Sequence, residues 1–265
     1  MNINISGKRV LITASTEGIG RGVAEAFLRE GCNVVISSRS EQKLNKALAD
    51  LRQISPSIWG FISDLTVEST LEELVMKAVE VMKGIDVLVV NSGNPPKEPS
   101  FFFENSMQDW EYSIRLYLLS AIKLVNLVYP YMREQRWGRI FFLSSWTVKE
   151  PQRLFSLADI TRAPLIQMAK LLSRELSQFN ITTNVILMGS FDTEGARRSL
   201  KKYAEKVGQP VEVVWEKEVL SQIPLRRSGD IKNELGSLLI YLSSDYGSYV
   251  NGSYILIDGG ITRSV

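Results

Sequence analysis

Two glycines stand at a point in the chain that is suited to binding phosphate. Gly18 and Gly20 end the segment 13–20 (TASTEGIG), which separates the β-branched run 9–14 from a segment of helical period. In a strand-to-helix turn, glycines let the backbone approach a pyrophosphate at the helix N-terminus, where free N–H groups and the helix dipole favour negative charge. A tight turn without a ligand is the alternative. The turn predicts a dinucleotide site with contacts from Ala14, Ser15, Gly18, Ile19 and Gly20.

The end of the second apolar run indicates which dinucleotide to expect. Arg39 lies nineteen residues beyond Gly20, where an acidic side chain would bind the ribose hydroxyls of NAD. A guanidinium instead forms charge-assisted bonds to a 2′-phosphate, with Ser38 and Ser40 as further donors, so NADP (NADPH) is expected to be preferred over NAD. Glu17 argues the other way, because its carboxylate would repel that phosphate. An ordinary surface role for Arg39 is the alternative.

The composition excludes several other kinds of chemistry. The 265 residues are 45% hydrophobic and 23% charged with a net charge of +2, which supports a sizeable core and predicts neither a nucleic-acid nor a membrane partner. The sequence has no histidine, so Ser-His-Asp catalysis and a His-ligated metal are excluded, and no metal is expected. With one cysteine, Cys32, and no apolar run of about 20 residues, the protein is expected to be soluble and cytoplasmic.

The elements that must position these residues alternate along the chain. Short, continuously apolar runs are separated by segments of helical period, which is typical of a parallel sheet covered by helices on both faces. We therefore predict one α/β domain over 1–265, a Rossmann-type, doubly wound fold with seven parallel strands, and with 190–224 as an inserted helical lid over a cleft. The strands are expected at 9–14, 33–38, 59–63, 86–91, 139–144, 181–187 and 254–258, and the helices at 18–30, 41–53, 68–83, 108–134 and 157–179.

Further motifs follow the later strands. They are Ser63-Asp64-Leu65, Val90-Asn91-Ser92-Gly93, and Gly189 with Thr193. Together with the glycine turn, and in this order, they resemble the short-chain dehydrogenase/reductase family over nearly the whole chain. The resemblance implies that Asp64 contacts adenine and that Thr193 lies beside the nicotinamide carboxamide. The cofactor contacts that it implies are Asp64, Leu65, Asn91, Ser92, Gly93, Gly189 and Thr193.

The resemblance breaks at the catalytic residues. Ser145 aligns with the family's serine, but the positions of its tyrosine and lysine hold Ala158 and Arg162, and Tyr117 stands where an asparagine is usual. This pattern resembles a divergent branch that lacks Tyr-x-x-x-Lys. The expected catalytic set is Ser145, Tyr117 and Arg162: Ser145 polarises a carbonyl, Arg162 holds the nicotinamide ribose, and its guanidinium favours a Tyr117 phenolate that exchanges the proton. A packed Tyr117 with no catalytic role is the alternative.

The expected function follows from these motifs. The resemblance implies an NADP(H)-dependent oxidoreductase of short-chain type acting on a carbonyl/alcohol pair, and a homo-oligomer, either a dimer or a tetramer. A non-catalytic dinucleotide-binding module is the alternative, and a lyase or isomerase without hydride transfer is a third. Aromatic residues near strand ends would suit an apolar or cyclic small-molecule substrate, or would equally form core and subunit contacts; they are Phe101, Phe102, Phe103, Trp146, Phe155 and Phe191.

Overall fold

A seven-stranded parallel sheet forms the centre of the molecule. The structure, a computed structural model, describes residues 3–264, except for the side chains of 199, 202, 203 and 206. The spatial order is β3-β2-β1-β4-β5-β6-β7, so the order reverses between β1 and β4, where open α/β sheets bind ligands. The predicted doubly wound fold is confirmed, with strands β1 (Arg9–Ile12), β2 (Asn33–Ser38), β3 (Ile58–Ile62), β4 (Val87–Val90), β5 (Gly138–Ser145), β6 (Ile181–Met188) and β7 (Tyr254–Ile257).

Helices cover both faces of the sheet. The predicted helix 108–134 contains a π-helical turn, Arg115–Leu119, and the predicted helix 157–179 is divided at Pro164, which has no N–H to continue the first helix and begins the second. The helices are α1 (Gly18–Arg29), α2 (Glu41–Leu51), α3 (Glu68–Met82), α4 (Met107–Ile114), α5 (Ser120–Glu134), α6 (Ser156–Arg162), α7 (Pro164–Leu176), α8 (Glu194–Val207), α9 (Val211–Glu218) and α10 (Ser237–Ser243).

Two apolar layers, one on each face, hold the helices to the sheet. On one face α3, α5 and α7 bury residues such as Leu74 and Leu124 against the sheet, and on the other face α1 and α10 bury Phe27 and Leu239. The central strands β4 and β5 are buried along almost their whole length because both faces of the sheet are covered. Cys32 is fully buried. Within residues 3–264, no helix is both long enough and apolar enough to cross a membrane.

The segment 190–224 forms α8, α9 and a short 3₁₀ turn, in agreement with its helical pattern. Trp215 of α9 is buried, and the Arg197 guanidinium lies 5.2 Å from the centroid of its ring. Arg197 also pairs with Asp192 at 2.6 Å. The segment follows the carboxyl end of β6, which places it beside the edge of the sheet where ligands bind. Its role as a lid stays a prediction.

An ion pair joins the amino-terminal ends of β1 and β4. The Arg9 guanidinium donates to both carboxylate oxygens of Asp86, at 2.9 and 2.7 Å, and the Arg9 N–H donates to the same carboxylate at 2.9 Å. The side chains of Arg9 and Asp86 are 23% and 10% exposed, so water screens the pair only in part. The pair fixes the two strands between which the strand order reverses.

We expect the Asp86→Ala variant to lose about 2–3 kcal/mol of unfolding free energy, because it leaves a partly buried guanidinium without its carboxylate. Urea unfolding measures the loss. Glu73→Ala is the matched control, since it breaks an exposed ion pair with Lys77 and should cost less than about 1 kcal/mol. Equal losses in the two variants would contradict the importance of the Arg9–Asp86 pair.

Candidate active site

Hydrogen bonds lock the turn after β1 onto the end of β4. The Thr13 hydroxyl donates to the Asn91 carbonyl at 2.6 Å, the Asn91 N–H donates to the Thr13 hydroxyl at 2.9 Å, and the Asn91 side-chain amide donates to the Ala14 carbonyl at 2.9 Å. A Cβ on Gly20 would lie 2.7 Å from that amide nitrogen and 2.8 Å from the Ser15 Cα. Only glycine at position 20 therefore leaves room for this close approach.

The N-terminus of α1 has the properties of an anion site. The capping residue Glu17 is extended, and its side chain makes no bond to the first backbone N–H groups of the helix. The Glu17 carboxylate instead accepts a hydrogen bond from the Lys43 ammonium at 2.7 Å. This ion pair offsets the expected repulsion between the Glu17 carboxylate and a phosphate. The free N–H groups, the helix dipole and the glycines fit a dinucleotide phosphate.

Arg39 lies beside this turn at the end of β2. Its guanidinium is 60% exposed, donates to the Tyr112 hydroxyl at 2.9 Å and is 3.8 Å from the Asp64 carboxylate. Ser38 and Ser40 accept hydrogen bonds through their hydroxyl oxygens from Thr16 and from the Lys43 N–H, respectively. Each hydroxyl keeps its own hydrogen for another acceptor. The cations beside the turn are thus Arg39 and Lys43.

Sequence reasoning missed Lys43. The available signal was its place in the first turn of a helix capped by Ser40, at the same edge of the sheet as the glycine turn.

The other residues that the resemblance assigns to the cofactor also lie at the carboxyl edge of the sheet. Asp64 follows β3 and accepts hydrogen bonds from the Thr66 N–H and hydroxyl at 2.8 Å. A Cβ on Gly93 would meet no atom within 4 Å, whereas one on Gly189 would lie 2.5 Å from the Asp258 Cα. Gly93 therefore borders open space, and Gly189 is packed against backbone. The residues with this location are Asp64, Leu65, Asn91, Ser92, Gly93 and Gly189.

Thr193 caps α8, with its hydroxyl accepting from the Ala196 N–H at 3.0 Å. Its Cβ lies 3.5 Å from where a Cβ on Gly18 would be. The start of the segment 190–224 therefore lies against the glycine turn. Because Thr193 follows β6 and Gly18 follows β1, the ends of these two strands border the same cleft.

Ser145, the last residue of β5, begins a chain of hydroxyl and carboxylate groups. The Thr147 hydroxyl lies 2.9 Å from the Ser145 hydroxyl and also bonds the Asp159 carboxylate. The other oxygen of Asp159 accepts the Gln152 N–H at 2.8 Å. The Asp159 side chain has no exposed surface, and its burial raises the pKa of the carboxyl above its ordinary value. The sequence does not show the link from Asp159 to Ser145, because the bond through Thr147 depends on the bend of the chain after β5.

The Arg162 guanidinium and the Tyr117 ring stack beside these hydrogen-bonded groups. The Arg162 guanidinium lies 5.1 Å from the Tyr117 ring centroid and 3.7 Å from the Asp159 carboxylate, and its Nε donates to the Ala158 carbonyl at 3.1 Å. The buried Tyr117 hydroxyl donates to the Gly93 carbonyl at 3.1 Å.

The expected Tyr117 phenolate stays a prediction, and the surroundings of the phenol act against it. Burial raises the pKa of the phenol, and this effect outweighs the Arg162 charge, which lowers it. These contacts favour a role for Tyr117 in holding the Gly93 loop.

Glu98 is a buried carboxyl group that sequence reasoning missed. It is 7% exposed; one oxygen accepts the Ala158 N–H at 2.6 Å, and the other has no hydrogen-bond partner among residues 3–264. Burial, opposed by that backbone bond and by the Arg162 charge, raises the pKa of Glu98 to about 7. The only signal in the sequence was an acidic residue between prolines in the segment 95–99. Glu98, Asp159 and Arg162 form a buried charged cluster around Ala158.

The comparisons with known proteins agree with this geometry. A family model described as short chain dehydrogenase matches residues 8–204. The chain is 29% identical to a 3-oxoacyl-[acyl-carrier-protein] reductase of Thermotoga maritima, covering 98% of this chain and 99% of the relative. It is also 29% identical to the mitochondrial human dehydrogenase/reductase SDR family member 2, covering 98% and 88%. The structure of Gluconobacter frateurii L-sorbose reductase, complexed with NADPH and L-sorbose, superposes with a TM-score of 0.94 at 25% identity, covering all of both chains.

We expect the stability of the protein to fall as pH rises toward 7, and Glu98→Gln to remove much of that fall. The pKa of Glu98 is about 7 in the folded protein and 4.5 ordinarily. Between these values the folded protein binds more protons than the unfolded chain, so raising the pH favours unfolding. The shift corresponds to at most about 3 kcal/mol.

Urea unfolding at about pH 5 and about pH 8 measures this dependence. The glutamine side chain can still accept the Ala158 N–H, but it does not titrate. Glu104→Gln is the matched control, since Glu104 accepts the Phe101 N–H at 2.9 Å on the exposed surface of the same loop. An identical pH dependence in wild type and Glu98→Gln would show that Glu98 titrates as an ordinary glutamate.

Proposed function

Because this chain belongs to the short-chain dehydrogenase family, we propose that it is an NADP(H)-dependent oxidoreductase that interconverts a carbonyl compound and its alcohol. One observation carries the proposal: the anion site at the start of α1 and the Ser145 hydroxyl lie on the same edge of one sheet, on either side of β4. A dinucleotide whose phosphates occupy the anion site at the start of α1 would extend toward the Ser145 hydroxyl.

The cations beside the turn support NADP(H). Arg39 directly follows β2 and Lys43 lies in the first turn of α2, beside the place where a dinucleotide fold binds the adenosine ribose. Both cations would attract a 2′-phosphate there. Lys43 is already paired with Glu17, so the exposed Arg39 would supply most of the preference. The L-sorbose reductase with NADPH is consistent with this choice.

The cofactor, when bound, would supply or accept the hydride, and the protein positions the two reactants. Ser145 would donate a hydrogen bond to the substrate oxygen and polarise the carbonyl. The Arg162 Nε bonds the Ala158 carbonyl, and the other guanidinium nitrogens of Arg162 would bind the nicotinamide ribose. Tyr117 would keep the loop of Asn91, Ser92 and Gly93 against the cofactor through its bond to the Gly93 carbonyl.

The assignment to a branch that lacks Tyr-x-x-x-Lys rests on Ala158 and Arg162, which leave no phenol at the usual position. Lys149 does bond the Tyr254 hydroxyl at 3.1 Å, but Tyr254 is the first residue of β7 and lies away from the carboxyl edge of the sheet.

An apolar or cyclic substrate is favoured by three phenylalanines near the cleft. Phe101, Phe102 and Phe103 follow the loop that begins at the end of β4, and all three are exposed, Phe103 by 96%. The same exposed rings would suit a contact between subunits of a homo-oligomer. We therefore propose both roles for the segment 101–103.

We expect the purified protein to oxidise NADPH when a panel of ketones and aldehydes is added. The loss of NADPH absorbance measures the reaction. Ser145→Ala should lower kcat by at least about 100-fold, because the substrate oxygen loses its hydrogen-bond donor, while NADPH still binds. Binding of NADPH without oxidation across the panel would contradict the oxidoreductase and support a dinucleotide-binding module.

We expect Arg39→Asp to reverse the coenzyme preference toward NADH, since a carboxylate repels the 2′-phosphate and bonds the ribose hydroxyls instead. Each charge-assisted bond of this kind contributes about 1.5–3 kcal/mol, so affinity for NADPH should fall by about 10- to 100-fold. Arg52→Asp, the same change at the far end of α2, is the matched control. An unchanged ratio of NADPH to NADH affinities would remove Arg39 from the site.

A further inference from the structure

Reduction of a carbonyl requires a proton as well as a hydride. In this chain the position where the family has its tyrosine holds Ala158, which has no proton to give. The Tyr117 phenol is buried and bonded to the Gly93 carbonyl, and the Tyr112 hydroxyl accepts from Arg39. The proton must therefore reach the substrate oxygen from another group. Ser145 touches the cleft, but a serine that donates its proton must itself be reprotonated.

The bonds behind Ser145 form a continuous path to a buried acid. A hydroxyl has one hydrogen, and Thr147 bonds both the Asp159 carboxylate and the Ser145 hydroxyl. When Asp159 is ionised, Thr147 donates to the carboxylate and accepts from Ser145. When Asp159 is protonated, the direction of each hydrogen bond in the path reverses. Asp159 then donates to Thr147, and Thr147 donates to Ser145. Ser145 is then oriented to donate toward the cleft.

We propose that Thr147 and Asp159 are a proton relay for Ser145, with Asp159 as the acid in carbonyl reduction and the base in alcohol oxidation. The proposal rests on the proposed function. As a nicotinamide hydride bonds to the carbonyl carbon, the electron pair of the C=O π bond moves to oxygen. That oxygen takes the Ser145 proton, Ser145 takes the Thr147 proton, and Thr147 takes the Asp159 proton. The Asp159 carboxylate that remains is reprotonated from water along the same path after the alcohol leaves.

The surroundings of Asp159 suit a group that gains and loses a proton. Its side chain has no exposed surface, so water does not stabilise the carboxylate, and the Gln152 N–H holds its other oxygen in place. The charged and titratable groups that face it are Arg162, at 3.7 Å on the same helix, Glu98 from the loop after β4, and Tyr117 from the π-helical turn. Burial raises the pKa of Asp159, while the bonds from Thr147 and Gln152 and the Arg162 charge lower it.

Thr147→Val tests the relay, because valine has the shape of threonine but no hydroxyl to carry the proton. We expect kcat for carbonyl reduction to fall by about 100-fold, as expected for loss of a general acid, with the affinity for NADPH unchanged. Thr147→Ser should restore kcat to within a fewfold of wild type. Thr182→Val is the matched control: its hydroxyl is buried and has no partner in the described part of the chain, so its removal should leave kcat unchanged.

Two further measurements separate a relay from a purely structural role. The dependence of wild-type kcat on the deuterium fraction of the solvent should be curved, because more than one proton moves, and the curvature should be lost in Thr147→Val. In the protein without cofactor, infrared titration should show a carboxylic-acid band that Asp159→Asn removes and Glu98→Gln does not. Thr147→Val should raise the pKa of Asp159 that this band reports, since the carboxylate loses a hydrogen bond.

The outcomes distinguish the relay from the proposed function. A Thr147→Val enzyme that reduces carbonyls as fast as wild type would overturn the relay and leave the oxidoreductase in place. A wild-type protein that binds NADPH but reduces no carbonyl would overturn the proposed function, and the relay with it. If Thr147→Val does not fold, Asp159→Asn serves instead, because its side-chain oxygen still accepts from Thr147 or Gln152 but takes up no proton; wild-type kcat in that variant would overturn the relay.

Discussion

The hydrogen bonds among Thr13, Ala14 and Asn91 are the contact on which the site depends. They join the turn after β1 to the end of β4, across the point where the strand order reverses. Gly20 makes the contact possible because a side chain there would occupy the space of the Asn91 amide. With the turn fixed, the first N–H groups of α1 stay free for an anion. All later features of the cleft, from Arg39 to Ser145, are positioned relative to that turn.

The chain has no histidine, and its cleft uses buried carboxyl groups instead. Glu98 and Asp159 lie around one guanidinium, Arg162, and burial raises the pKa of both acids. Two carboxyl groups near one cation share its stabilisation only in part, which adds to the effect of burial on both acids. Position 158 is an alanine, these two acids and Arg162 lie around it, and Ser145 ends β5 beside them.

Much of the architecture could be predicted because parallel strands buried on both faces are continuously apolar, and all seven strands lie where such runs occur. The glycine turn was also visible, since Gly18 and Gly20 stand directly between a strand and a helix. The sequence did not reveal the Ser145–Thr147–Asp159 path or the place of Glu98. The path lies within fifteen residues, but it depends on how the chain bends after β5. Glu98 reaches Ala158 from sixty residues away, through the loop after β4. The burial of Tyr117, which acts against the expected phenolate, was also hidden, because the sequence shows a neighbouring cation but not the depth of burial.

Calorimetric titration of the folded protein with NADPH tests the central claim most directly, namely that the turn between β1 and α1 binds a phosphorylated dinucleotide. The account predicts saturable heat with one site per chain, and an affinity that weakens as salt screens Arg39 and Lys43. The absence of saturable heat with both NADPH and NADH, from protein shown to be folded, would contradict it.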